Sequence, residues 1–90
     1  MDFEWDKTKA ARNLRKHGVA FQEAATVFGD PLALTFNDPH HSIGEHRQLT
    51  FGTTRTGKHV VVAHLELESS MRIISARMMT KQEREFYEKG

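Results

Sequence analysis

The segment His59-Val60-Val61-Val62-Ala63-His64-Leu65-Glu66-Leu67 predicts the longest β-strand of the chain and indicates a sheet-based fold. Alternate residues of a strand point to opposite faces of a sheet. One face of this strand carries its main apolar row, which consists of Val61, Ala63, Leu65 and Leu67. His64 belongs to the alternate row, so we expect it on the face opposite the main apolar row.

Three further strands are predicted around this segment. Residues 32–36 alternate in polarity, residues 47–53 place Leu49 and Phe51 inward, and residues 72–77 alternate again. A polar loop at 37–45 and turns at Thr56-Gly57 and Ser69-Ser70 separate the strands. Short connections favour an antiparallel four-stranded sheet. Phe3 and Trp5 also have strand alternation and are candidates for an added edge strand.

Helix signals flank the strands. Asp6 has the position of an N-cap for a helix to about Lys16, and Gly18 suits the left-handed residue after its end. Residues 21–28 predict a second helix, although Ala20 offers no capping oxygen. Thr80 and Glu83 have capping-box spacing and predict a C-terminal helix. We therefore expect a single α+β domain over residues 1–90, with two N-terminal helices packed on one face of the sheet.

Composition excludes several classes of protein. The chain has 90 residues and no cysteine, so it has neither a disulfide framework nor a thiolate metal site. No signal peptide or membrane-spanning run is visible, and the cytoplasm is the expected compartment. Residues 47–90 hold eight Lys or Arg against five Asp or Glu. Residues 7–16 hold five cations and no acid, which is typical either of a solvated helix face or of phosphate contacts.

The side chains needed for metal-free RNA cleavage are present. Such cleavage needs a base for the 2'-hydroxyl, cations at the phosphate and an acid for the leaving oxygen. His64 is a candidate base or acid, and Tyr87 can share a helix face with Glu83 or Arg84. The candidate phosphate clamps are Arg47, Arg72, Arg77 and Arg84. The candidate RNA-binding residues are Lys9, Arg12, Lys16, Arg47 and Arg72, and no metal is assigned.

Each candidate also has a structural explanation. Glu83 is explained by helix capping, and His64 by packing in a sheet. The ring of Tyr87 can pack on the sheet with its hydroxyl in water, and an exposed Arg77 is ordinary at a strand end. A histidine cluster, Asp38-Pro39-His40-His41 with His46 and His59, offers ligands for zinc or nickel. Adjacent histidines point in different directions, so we interpret this cluster as a solvated loop.

Two separated motifs resemble one known family. The N-terminal motif comprises Glu4-Trp5-Asp6, Lys9, Asn13 and Lys16-His17-Gly18-Val19, and the C-terminal motif comprises Arg77, Glu83, Arg84 and Tyr87. In order and spacing they resemble the BrnT family of small bacterial toxins, which are RelE-like ribonucleases of type II toxin-antitoxin systems. The sequence departs from the family pattern at Ala20, where a hydroxyl residue is usual, and at Met78-Met79, where basic or small residues are usual.

The resemblance implies a RelE-like fold, catalytic roles for the C-terminal motif, and a cognate BrnA-like antitoxin with a DNA-binding fold. It also implies a heteromeric complex built on an antitoxin dimer. Our leading hypothesis is a metal-independent endoribonuclease toxin that inhibits translation and needs no cofactor. One alternative is a non-catalytic RNA- or protein-binding module of the same fold. A metal-dependent hydrolase that uses the histidine cluster is the third hypothesis.

Overall fold

The computed structural model describes residues 2–38 and 46–90, which form a five-stranded mixed sheet with helices on both faces. The strands lie in the order β1-β5-β4-β3-β2. Their bounds are β1 Asp2–Glu4, β2 Leu34–Asn37, β3 Arg47–Thr53, β4 His59–Glu66 and β5 Ser70–Met78. The helical elements are α1 Lys7–His17, α2 Phe21–Ala24, a 3₁₀ turn Ala25–Gly29 and α3 Lys81–Lys89.

The prediction of a four-stranded antiparallel sheet is wrong in strand number and in one direction. Strands β2 to β5 are antiparallel neighbours as expected, but β1 pairs with β5 in parallel. The alternation at Phe3 correctly indicated an added edge strand, since Phe3 lies opposite Met71 in this pairing. Strand β2 also begins two residues later than predicted, because Asp30 accepts a hydrogen bond from the Leu32 backbone and holds that residue in a turn.

The helix boundaries follow their caps. Asp6 accepts a hydrogen bond from the backbone of Lys9 at 2.9 Å, and Gly18 ends α1 with a φ of 71°. The predicted helix at 21–28 is instead one α-helical turn followed by the 3₁₀ turn. Its start at Ala20 has no side-chain cap, and the Thr26 hydroxyl donates to the carbonyl of Glu23 at 2.6 Å. The segment therefore consists of two short elements, Phe21–Ala24 and Ala25–Gly29.

The core lies between the N-terminal helices and one face of the sheet, which we call the helix face. Its buried side chains are Val19, Phe21, Ala24, Val27, Val60, Val62, Ile73 and Ala76. The row of β4 that faces the helices is therefore the Val60 row, which includes His64. The main apolar row, with Val61, Ala63 and Leu65, lies on the opposite face, so His64 is opposite that row as predicted. Val61 is nonetheless only 2% exposed. Strand β4 is central and is covered on both faces, so its polarity pattern could not identify the helix side.

An irregularity in β5 changes which of its residues share a face. Ala63 pairs with Ser75 whereas His64 pairs with Ile73, so Ile74 has no partner in β4. This is the geometry of a β-bulge, in which one extra residue changes the alternation of the strand. Ser75 and Arg77 consequently lie on the same face as Arg72. In a strand with regular alternation Arg72 and Arg77, five residues apart, would lie on opposite faces.

Asn13 connects α1 to the edge of β5 beyond the end of β1. Its side-chain amide donates to the carbonyl of Ala76 at 2.8 Å and accepts from the Ala76 backbone N–H at 3.1 Å. It also donates to the carbonyl of Val19 at 3.0 Å. The amide thus supplies to Ala76 both hydrogen bonds that a neighbouring strand would otherwise supply.

None of the helices in residues 2–38 and 46–90 has the length and apolar composition needed to cross a membrane.

We expect Asn13→Ala to lower the free energy of unfolding by about 3 kcal/mol, because it leaves buried backbone groups of Ala76 and Val19 without partners. Urea denaturation followed by circular dichroism measures this loss. Asn37→Ala is the matched control, since Asn37 is exposed and its substitution should change stability by less than about 0.5 kcal/mol. Equal stability of the two variants would contradict the proposed role of Asn13.

Candidate functional site

The sheet face opposite the N-terminal helices carries three of the predicted phosphate clamps. Leu65 of β4 pairs with Arg47 on one side and with Arg72 on the other, and Val61 pairs with Arg77. Paired residues lie on the same face of a sheet, so the three arginines share this face with Ser75. We call the surface formed by Arg47, Arg72, Ser75 and Arg77 the arginine face. The bulge at Ile74 makes this grouping possible.

Arg72 lies at the edge of the arginine face, near the start of α1. Its guanidinium is 4.0 Å from the carboxylate of Glu4, and both side chains are nearly half exposed. An ion pair of this length and exposure is weak, so the charge of Arg72 remains accessible to a ligand. The pKa of Asp6 is lowered, first by the hydrogen bond from the Lys9 backbone and in small part by the positive charges of Lys9 and Arg72. Arg72 therefore lies within electrostatic range of the first turn of α1.

Arg77 is held in place by Glu83 of α3. Two parallel hydrogen bonds of 2.7 and 2.9 Å join the guanidinium of Arg77 to the carboxylate of Glu83. The same carboxylate accepts a bond from the Thr80 backbone, and the Thr80 hydroxyl accepts one from the backbone of Glu83. The capping box predicted from the sequence is thus present. Glu83 fixes the start of α3 and the orientation of Arg77 at the same time.

The electrostatics of Glu83 favour a positioning role over a role as general base. Its hydrogen bonds with Arg77 lower its pKa to about 2, with a further contribution from the Thr80 backbone. A carboxylate with so low a pKa is ionised at neutral pH but is a weak proton acceptor. The bidentate bond also raises the pKa of Arg77, so its guanidinium keeps its charge.

The last turns of α3 are attached to the sheet through Tyr87. The hydroxyl of Tyr87 donates to Asp30 and lies 2.9 Å from the hydroxyl of Thr53, while its ring contacts that of His59. Asp30 also accepts from the backbone of Thr53 at 2.9 Å. Burial and the hydrogen bond to Asp30 raise the pKa of Tyr87. Tyr87 is thus a structural anchor here, and its predicted wet hydroxyl is instead hydrogen-bonded to protein.

Asp30 and Thr53 are residues of this anchor that sequence analysis missed. The side chain of Asp30 accepts a local hydrogen bond from the Leu32 backbone and two hydrogen bonds across the fold, from the Thr53 backbone and the Tyr87 hydroxyl. Nothing local to Asp30 reveals a tyrosine located 57 residues later.

His64 and Arg84 lie away from the arginine face. His64 is 1% exposed on the helix face, where its ring packs against Phe28 and its Nε2 lies 2.7 Å from the Thr50 hydroxyl. Burial lowers the pKa of His64 to about 4, so the ring is neutral at physiological pH. Arg84 is on the exposed side of α3, where it bonds Glu88 at 3.2 Å. The structure therefore does not gather the five predicted catalytic residues into one site.

The predicted histidine cluster lies partly outside the described residues. Pro39, His40 and His41 are not described, Asp38 is buried and His46 is exposed. Within residues 2–38 and 46–90 no group of three His, Cys, Asp or Glu side chains is close enough to hold a metal ion.

The predicted RNA-binding residues of α1 line a single groove. The groove runs between α1 and β5 on the side of β5 where Asn13 binds Ala76. We call it the α1–β5 groove, and it is lined by Lys9, Arg12, Lys16, His17, Ile74 and Ser75 around Asn13. Three cations of the basic run of α1 therefore border a concave surface while remaining exposed to solvent.

Comparison with known proteins gives a consistent result. A family model described as the ribonuclease toxin BrnT of type II toxin-antitoxin systems matches residues 5–83. The fold is similar to the crystal structure of the ribonuclease toxin BrnT from Brucella abortus, with a TM-score of 0.70 and 21% sequence identity. That match covers 90% of this chain and 99% of the Brucella chain. A search of curated proteins finds no match.

We expect Glu83→Gln to lower the free energy of unfolding by about 1 kcal/mol at pH 7, through a weaker cap and loss of the ion pair. The folded-state pKa of Glu83, about 2, is below the ordinary value of 4.5 for a glutamate. Its contribution is therefore fully present above about pH 4.5 and is lost as the pH falls toward 2. Urea denaturation at several pH values should show the difference from wild type shrinking below pH 4.5.

Glu85→Gln is the control for this experiment, because Glu85 is exposed on the same helix. A difference between wild type and Glu83→Gln that stays constant from pH 7 to pH 2 would contradict the assignment.

Proposed function

Because the chain belongs to the BrnT family of ribonuclease toxins of type II toxin-antitoxin systems, we propose that it is an endoribonuclease that binds and cleaves RNA on the arginine face. The observation that carries this proposal is the common face of Arg47, Arg72 and Arg77, produced by strand register and the bulge in β5. Cleavage of cellular RNA would inhibit translation in the cytoplasm and arrest growth.

The proposed reaction is an internal transesterification. The 2'-hydroxyl of one nucleotide loses its proton and attacks the adjacent phosphorus, and the bond to the 5'-oxygen of the next nucleotide breaks as that oxygen takes up a proton. The products are a 2',3'-cyclic phosphate and a 5'-hydroxyl. Negative charge increases on the phosphate oxygens during this step, and fixed guanidinium groups stabilise that charge without a bound metal.

Arg77 is the central cation in this proposal. Two of its nitrogens are bonded to Glu83, so a phosphate must share or replace that carboxylate. A planar guanidinium binds phosphate in the same bidentate geometry as carboxylate, which makes the exchange chemically reasonable. Glu83 is then a positioning residue that holds the guanidinium of Arg77 before RNA binds.

Other predicted catalytic residues receive different roles. His64 is buried and neutral on the opposite side of the sheet, so it is omitted from the reacting groups. Tyr87 holds α3 through Asp30 and can protonate a leaving oxygen only if that hydrogen bond is broken. Arg84 is exposed beside Glu83. Its proposed role is to contact RNA beyond the cleaved phosphate, without a part in the reaction.

We expect purified protein to cleave RNA in excess EDTA, and Arg77→Ala to lower the cleavage rate at least about 100-fold by removing charge stabilisation. Gel analysis should show products with cyclic phosphate ends. Arg55→Ala is the matched control, since Arg55 is an exposed arginine of the turn between β3 and β4. In cells, wild type and Arg55→Ala should arrest growth to a similar extent, and Arg77→Ala should be the least toxic of the three at equal expression.

Three results would change the proposal. Abolition of cleavage by EDTA with rescue by zinc or magnesium would support the metal-dependent hydrolase. RNA binding without cleavage would support the non-catalytic module. Equal activity of Arg77→Ala and Arg55→Ala would show that the reaction does not use the arginine face.

We also propose that a BrnA-like antitoxin with a DNA-binding fold neutralises this chain in a heteromeric complex built on an antitoxin dimer. An acidic or amphipathic antitoxin segment would compete with RNA for cationic surface. Co-expression with the adjacent small reading frame should yield a co-purifying partner, with a mass by light scattering above that of a one-to-one complex. Recovery of a free monomer alone would contradict this expectation.

A further inference from the structure

The α1–β5 groove carries a concentration of positive charge without a neutralising acid on its helix. Lys9, Arg12 and Lys16 recur at intervals of three and four residues, so they form one row along α1. Helix α1 contains no Asp or Glu between Lys7 and His17. Asp6, which precedes it, is engaged by the backbone of Lys9 as the helix cap. The row therefore offers fixed positive charge to a ligand in the groove.

Ser75 joins this groove to the arginine face. Ser75 lines the groove beside Ile74, and it pairs with Ala63 on the same sheet face as Arg72 and Arg77. Arg72 also lies close enough to Asp6, the residue before α1, to contribute to the lowering of the pKa of that carboxyl. Ser75 therefore lies between the cations of the α1–β5 groove and the arginines of the arginine face.

The groove is held in shape before any ligand binds. Asn13 lies among the groove residues and is hydrogen-bonded to Ala76, one residue after Ser75. This contact fixes the distance between the helix and the strand edge. Binding there would order only the ends of the long cationic side chains, which lowers the entropic cost of association.

We propose that the α1–β5 groove is an RNA subsite, which binds backbone phosphates on one side of the phosphate that lies at Arg77. The inference rests on the proposed function for the position of the cleaved phosphate, but the binding of RNA in the groove can be measured separately. In this arrangement the RNA strand runs along α1, passes Ser75 at the edge of β5 and reaches the arginine face.

The composition of the groove favours RNA over an acidic peptide. Protein partners obtain most of their binding energy from buried apolar and aromatic anchors, and Ile74 is the one aliphatic side chain among the residues that line the groove. Phosphate binding needs only cations and hydroxyl or amide donors, and the groove supplies the cations of Lys9, Arg12 and Lys16. Ser75 adds a hydroxyl at its edge. Contacts of this kind carry no base specificity, so the subsite would accept any RNA sequence.

The test compares two double variants with the same change in charge. Lys9→Gln with Arg12→Gln removes two cations from the groove, whereas Lys7→Gln with Arg15→Gln removes two exposed cations of α1 that do not line it. The probe is a fluorescein-labelled single strand of about 12 nucleotides, a length that spans a typical single-strand binding site. Its 2'-O-methyl groups block transesterification, so fluorescence anisotropy measures binding without cleavage.

We expect the groove variant to bind this probe about tenfold more weakly, with a salt dependence reduced by about 1.4 in the log–log slope, since each phosphate contact on a single strand contributes about 0.7. The control variant should bind as wild type does. With cleavable RNA, the groove variant should show a raised KM. Matching urea denaturation curves for both variants would exclude loss of folding as the cause.

The outcomes separate this inference from the proposed function. If the wild-type protein does not cleave RNA, the proposed function is refuted. Weaker probe binding by the groove variant would in that case still show that the groove binds RNA. If the wild-type protein cleaves RNA but the groove variant and the control variant bind the probe equally well, the subsite alone is refuted. Loss of affinity for a polyglutamate peptide with unchanged RNA affinity would also overturn the proposal and assign the groove to an acidic protein segment.

Discussion

The pairing of the Asn13 amide with both backbone groups of Ala76 is the contact on which the arrangement of this molecule depends. Strand β1 ends opposite Arg72, so the edge of β5 beyond it needs other hydrogen-bond partners. One side chain from α1 satisfies Ala76 and also binds the carbonyl of Val19, where the chain turns toward α2. The contact therefore sets the position of α1, the start of the next helical segment and the width of the α1–β5 groove.

The two faces of the sheet are stabilised by different forces. The helix face is held by a continuous apolar core in which Val60, Val62 and Ile73 are fully or almost fully buried. On the opposite face α3 is attached by polar groups at Arg77 and Tyr87, and by Phe86, which is half exposed beside the rings of Phe36 and Phe51. Hydrophobic burial contributes most of the stability of such domains, so the helix face provides the rigid support. Function is proposed on the face where cations are accessible.

Position within the fold separates residues of similar chemistry. His64 and His59 belong to the same strand, yet burial keeps His64 neutral in the core while His59 lies beside Tyr87 under α3. Arg77 and Arg84 both contact carboxylates, but Arg77 makes a bidentate contact over the sheet whereas Arg84 bonds a neighbour on the solvent side of its own helix. From residue type alone, the two histidines would be expected to share one role and the two arginines another.

The sequence by itself determined the features that depend on neighbouring residues. The caps at Asp6, Gly18 and Thr80, the bounds of β3 and the family resemblance were all predicted correctly. Only the tertiary structure decided that β1 runs parallel to β5, that the Val60 row faces the helices, that Asp30 binds Tyr87 and that Arg47, Arg72 and Arg77 share a face. Caps and strand periods follow from local backbone geometry, whereas sheet register, a bulge and contacts across tens of residues depend on how distant segments pack together.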